Sequence, residues 1–172
     1  MQLIAHLRKT QINRLQHIQN SLAPAVVAAP RSSPADHILK SLHWLKVPEH
    51  IEYKIISTTY KLLQFSSSQY LRDTITIQPS RSTRSSDLVT LLRPPVQSRL
   101  RITNRSFRHT APQLWNKLHH SLRVPYQSGS SLSSPLSSGA NPELAVNLSH
   151  GMFHSRLKTY LFSSLVPPSP TD

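Results

Sequence analysis

The chain has 172 residues and 37% hydrophobic content, enough for one modest domain with a small core. A formal net charge of +13 and a pI near 11.0 favour a polyanionic partner, because clustered Lys and Arg release counterions from phosphate backbones. With no Cys, disulfide frameworks, thiolate zinc knuckles and cysteine nucleophiles are excluded, and no apolar run reaches the length of a membrane span.

In chain order, residues 1–9 read as a flexible N-terminus and Thr10 as the N-cap of a helix running through Leu22. Ile12, Leu15, Ile18 and Leu22 recur on one face of it. Together with Arg8, Lys9, Arg14 and Arg31, and no acid before Asp36, this pattern also resembles a mitochondrial presequence. Pro24 removes a backbone donor, so the AVVAA that follows is expected to kink away or fray. A short second helix follows, starting near Ser33 or Asp36, with Ile38, Leu39, Leu42 and Leu45 on one face. Pro48 suits the first position of a third helix, with Glu49 and Glu52 at the positive end of its dipole and a stripe of Ile51, Ile55, Thr59 and Leu62 ending near Phe65. Trp44, just before it, is expected to anchor the core between these helices.

The middle is different in character. From Arg72 to Arg123 there are ten Lys or Arg, nine of them Arg, against Asp73 and Asp87. Leu88–Leu92 reads as a short strand, and the alternation in Arg99-Leu100-Arg101-Ile102-Thr103 predicts a second, half-buried strand with an arginine face. Pro94-Pro95 separates the two. Asn104 is then placed to cap a helix carrying Phe107, Ala111, Leu114, Trp115 and Leu118, with Pro112 in its first turn or splitting it. Residues 10–123 form the helical, Arg-rich region on this reading; 124–150 are a flexible Ser/Pro linker, 151–165 a C-terminal helix and 166–172 a tail. On that last helix Phe153, Leu157, Tyr160 and Leu161 share a face that Arg156 and Lys158 avoid. The fold class expected is mainly α with a short β element, a small irregular helical domain.

No chemistry is assigned to this chain. Its seven acids are isolated, which argues against the converging carboxylates of metal-assisted phosphoryl transfer. Three scattered glycines build no phosphate loop, and there is no nucleophile elbow. His150 and His154 are spaced i, i+4, but the HGMFH segment lacks the glutamate of a zinc-protease helix, and no metal or cofactor is expected. His119-His120 reads as a helix end. The arginines are left, and Arg81, Arg84, Arg99, Arg101, Arg105 and Arg108 are the candidate nucleic-acid contacts, since guanidinium forks grip phosphates in bidentate fashion. Phe107 and Trp115 are aromatic partners for bases if exposed and core if not, and Leu114 and Leu118 beside Trp115 favour core.

Five blocks in order carry a family resemblance: INRLQHIQNSLA at 12–23, LKSLHWLKVPEHIEYKI at 39–55, RSTRSSDLVTLLRPP at 81–95, RSFRHTAPQLWNKL at 105–118 and FHSRLKTYLF at 153–162. The chain resembles the region downstream of the catalytic palm in reverse transcriptases of LINE-type non-LTR retrotransposons, the jockey and chicken-repeat branch. That resemblance implies a non-catalytic C-terminal fragment of an RNA-directed DNA polymerase, whose Tyr-x-Asp-Asp motif lies upstream and is absent here. It also implies a surface that grips template and primer, which with the charge gives phosphate-directed, non-specific binding of RNA or DNA as the expected activity. The lack of a span-length apolar run predicts no integral membrane association, and the location is left open, an intracellular one, nuclear or cytoplasmic, being favoured over mitochondrial. Pro24, Gln69 and His119 depart from the family pattern, as drift in a decayed copy would produce. The alternatives are therefore a translated remnant without selected function and, from the N-terminal pattern, a mitochondrially targeted basic protein.

Overall fold

In the computed structural model, which describes residues 8–30, 32–64, 69–79, 88–95, 106–123 and 150–163, helix α1 spans Lys9–Val26. Its N-cap is Arg8, whose N–H donates to Gln11 Oε1 at 2.9 Å, so Thr10 lies inside the helix. Pro24 does not end it. The ring is buried inside the last turns beside Ala23, and only one backbone bond is missing so close to the end, so the helix continues to Val26. The stop is made instead at Ala28, which takes φ 52° while the Ala29 N–H donates to Pro24 O at 2.9 Å, a Schellman closure.

Helix α2, Ala35–Ser41, ends the same way. His43 has φ 53°, its N–H donates to Lys40 O at 3.0 Å, and the Trp44 N–H donates to Leu39 O at 2.9 Å. Ile38 and Leu39 pack with Ala23 into a small cluster flanked by Ala29 and Leu42. The turn at His43 leaves Trp44 37% exposed, so the expected core anchor is a surface residue.

Helix α3, Val47–Gln64, starts one residue before Pro48, whose missing donor falls among N–H groups that have no intrahelical partner in any case. Gln16 of α1 supplies one of those partners: its Oε1 accepts from Val47 N at 2.8 Å, while Gln19 Nε2 donates to Leu45 O at 2.9 Å. Thus α1 meets α3 through its glutamine face, and Leu15, Ile18 and Leu22 of the predicted apolar stripe are left exposed. On α3, Ile55, Thr59 and Leu62 are buried as expected, joined by Ile56, Ser57 and Tyr60.

The helix α4 is a single turn, Gln69–Arg72. Beyond it the β element expected at Leu88–Leu92 reduces to an isolated antiparallel bridge of Ile77 with Leu91, held by Gln78 N–H to Thr90 O and Leu92 N–H to Thr76 O, each 2.8 Å. Arg99–Thr103, the second expected strand, lies outside the described residues, as does Asn104.

Helix α5 is Phe107–Lys117 with Ser106 as N-cap. Pro112 neither opens nor splits it: the ring is fully buried in mid-helix, and burial compensates for the lost backbone bond. A 3₁₀ turn at His120–Leu122 follows. Helix α6, His150–Ser163, completes the main core with Phe153, Leu157 and Leu161, while Arg156 and Lys158 stay exposed. Phe153, 0% exposed, stacks on Tyr60 with ring centroids 3.7 Å apart and planes 8° from parallel, and Trp115 lies beyond it at 6.3 Å. Leu45, Ile56, Leu91, Leu118 and Leu122 close the cluster around these rings. The molecule is mainly helical, and no described helix is long and apolar enough to cross a membrane.

Candidate nucleic-acid interface

Of the six candidate arginines, Arg81, Arg84, Arg99, Arg101 and Arg105 lie outside the described residues. Arg108 is exposed in the first turn of α5. The described residues hold fourteen Lys and Arg against four acids, Asp36, Glu49, Glu52 and Asp73. Lys54 and Lys61, two turns apart on α3, are exposed, as are Arg93, Lys117, Arg156 and Lys158. Lys46 is paired with Asp36 at 3.1 Å. Glu49 and Glu52 are near neighbours on α3: partial burial raises the Glu52 carboxyl above the ordinary carboxylate range, Glu49 adds to the shift, and Lys117 opposes it.

Trp115 is not a platform for bases. It is 2% exposed, and its Nε1 donates to Val89 O at 2.9 Å. Beside it, Asn116 reads the backbone of Leu91 with both ends of its amide, Oδ1 accepting from Leu91 N at 3.0 Å and Nδ2 donating to Leu91 O at 2.8 Å. Val89 N–H donates to Arg123 O at 3.1 Å. Two neighbouring α5 side chains therefore fix the segment between the masses of arginine on either side of it in sequence. Neither Asn116 nor Gln16 gave a sequence signal, since a polar residue in a helix reads as solvent-facing until its partner backbone is located.

A second polar cluster joins α3 to α6. His154 Nδ1 lies 2.9 Å from Tyr53 Oη and 3.4 Å from Ser57 Oγ, and its Nε2 lies 3.0 Å from His150 Nε2. Partial burial lowers the pKa of His154, with His150, Lys61 and Lys54 adding to the shift. The i, i+4 spacing was visible in the sequence; the ring contacts with Tyr53 and Tyr60 were not. Among the described residues no group of three or more His, Asp or Glu converges as metal ligands.

Comparison with protein-family models, curated proteins and solved structures returns no match.

Proposed function

We propose that this chain is a non-catalytic, polyanion-binding module, the C-terminal part of a LINE-type reverse transcriptase, that grips RNA or DNA through phosphates. The observation that carries the reading is charge: fourteen Lys and Arg against four acids among the described residues, with most of the remaining cations in the Arg81–Arg105 stretch. So large an excess repels itself and is relieved when a polyanion neutralises it. Arginine rather than lysine in the middle region suits a bidentate grip on phosphate.

The fold contributes rigidity. Trp115 and Asn116 hold the 88–92 segment on α5, between Arg81 and Arg84 on one side and Arg99, Arg101 and Arg105 on the other in sequence. The RNA-directed polymerase parentage rests on the five ordered sequence blocks.

Fluorescence anisotropy of labelled RNA and DNA tests the binding. Saturable binding is expected, weakening steeply as salt rises and nearly indifferent to base sequence. Salt-independent binding, or strong preference for one sequence, overturns it. In a primer-extension assay with dNTPs and Mg²⁺ the purified chain is expected to extend nothing.

A further inference from the structure

We propose that His150 and His154 form a chelating site for a divalent transition-metal ion such as Zn²⁺ or Cu²⁺, with Tyr53 positioning the second imidazole. Both rings rise from the first turns of α6 and bring Nε2 atoms to 3.0 Å. At that distance both nitrogens cannot carry a proton, and two facing lone pairs repel unless a cation lies between them. Either a single proton or a metal ion meets the requirement. Two metal–nitrogen bonds of about 2.0–2.1 Å, meeting between a right angle and the tetrahedral angle, separate the nitrogens by about 2.8–3.4 Å, so the pair is already at chelating distance.

The orientation of His154 supports the same reading. Its other ring nitrogen, Nδ1, lies 2.9 Å from Tyr53 Oη across the α3–α6 interface. When Nδ1 carries the proton and donates it to that oxygen, the lone pair is left on Nε2, facing His150; this is the outer hydrogen bond that metal-binding histidines usually make. Tyr53 is half-buried on α3, and packing of Phe153 and Leu157 fixes α6 against that helix, so the imidazole is positioned by the core rather than by the metal.

Imidazole pairs suit zinc, copper and nickel. No third His, Asp or Glu completes the set among the described residues, so water fills the other positions and the ion is exchangeable, unlike a closed structural zinc. Lys54 and Lys61 lie within electrostatic reach of His154 and work against a bound cation, which also keeps the affinity modest.

The test is calorimetric titration of ZnCl₂ into the full chain after EDTA stripping, at pH 7.5 in a non-coordinating buffer. Because the chain has ten histidines, the decisive comparison is with His150→Gln, an exposed first-turn substitution that leaves the core intact. One saturable site that weakens by about tenfold or more in His150→Gln and in His154→Gln is expected, with about a tenfold loss in Tyr53→Phe. Equal affinity in wild type and His150→Gln, or no saturable binding by the wild type, overturns the site. A Tyr53→Phe chain that binds as tightly as wild type overturns the positioning role. Circular dichroism of each variant checks that loss of binding is not loss of fold.

Discussion

His43 and Ala28 hold positive φ values of 53° and 52° at the ends of two helices, in a region where a Cβ crowds the following carbonyl. Each is kept there because the closure it makes satisfies carbonyls that the helix leaves open. Glycine at position 43 is therefore expected to relieve the strain and stabilise the protein by about 0.5–1 kcal/mol, net of its added freedom in the unfolded chain; chemical denaturation of His43→Gly would measure it. Glu52 gives a pH-dependent case. Its folded pKa lies above the ordinary value, so the folded state holds that proton more tightly than the unfolded chain does. That contribution is fully present below the ordinary carboxylate range and is lost as pH rises through the folded pKa. At neutral pH Glu52→Gln is expected to melt at a higher temperature than wild type, and the difference should close as the pH is lowered through the carboxylate range.

Helix α6 follows a stretch of polar sequence, yet it supplies the central ring of the core. Phe153 is 0% exposed, stacked on Tyr60 and with the Trp115 ring centroid 6.3 Å away, so Phe153→Ala removes its contacts with both rings and is expected to cost about 3–5 kcal/mol. In a small domain that is a large part of the total stability. Urea denaturation followed by circular dichroism would show a midpoint near zero denaturant; a loss below about 1 kcal/mol would mean that α6 is not part of the cooperative unit. Helix α1 makes the opposite point. Its apolar stripe was legible at 3.6-residue spacing, but Gln16 bonds the first residue of α3 and Gln19 the Leu45 carbonyl just before it, and Leu15, Ile18 and Leu22 line an open groove of about 420 Å³ with Trp44 and Ile51. Periodicity identified the helix and its stripe without telling which face packs, because the contact is set by two part-buried backbone groups, Leu45 O and Val47 N, that side-chain amides of α1 satisfy.

For the whole molecule the governing quantity is net charge. If Arg99 and Arg101 contact phosphate, replacing both by Gln should flatten the slope of log K against log salt by about one to two units. If Arg99–Thr103 pairs as the half-buried strand that its alternation predicts, the arginines take the polar side and the variant should unfold like wild type. Substituting Leu100 and Ile102 should instead disturb folding. An unchanged salt slope in a still-folded Arg99→Gln, Arg101→Gln chain would favour attraction by overall charge alone, as a remnant without a selected binding surface would show.

Read alone, the sequence determined the mainly helical class, the apolar faces of α3 and α6 and the concentration of arginine in the middle region, because periodicity, capping residues and charge are local properties of the chain. The core placement of Trp115 was also legible, from Leu114 and Leu118 beside it; only the tertiary structure decided that Trp44 stays at the surface, that Pro24 and Pro112 sit buried inside helices, and that His154 meets Tyr53. Each of those outcomes depends on a partner far away in sequence. Both proline rings are buried inside their helices, and whether a tryptophan enters the core depends on where the backbone that carries it, a helix face or a turn, aims the side chain. The αL turn at His43 leaves Trp44 at the surface, while α5 carries Trp115 onto Phe153 and within hydrogen-bonding distance of Val89.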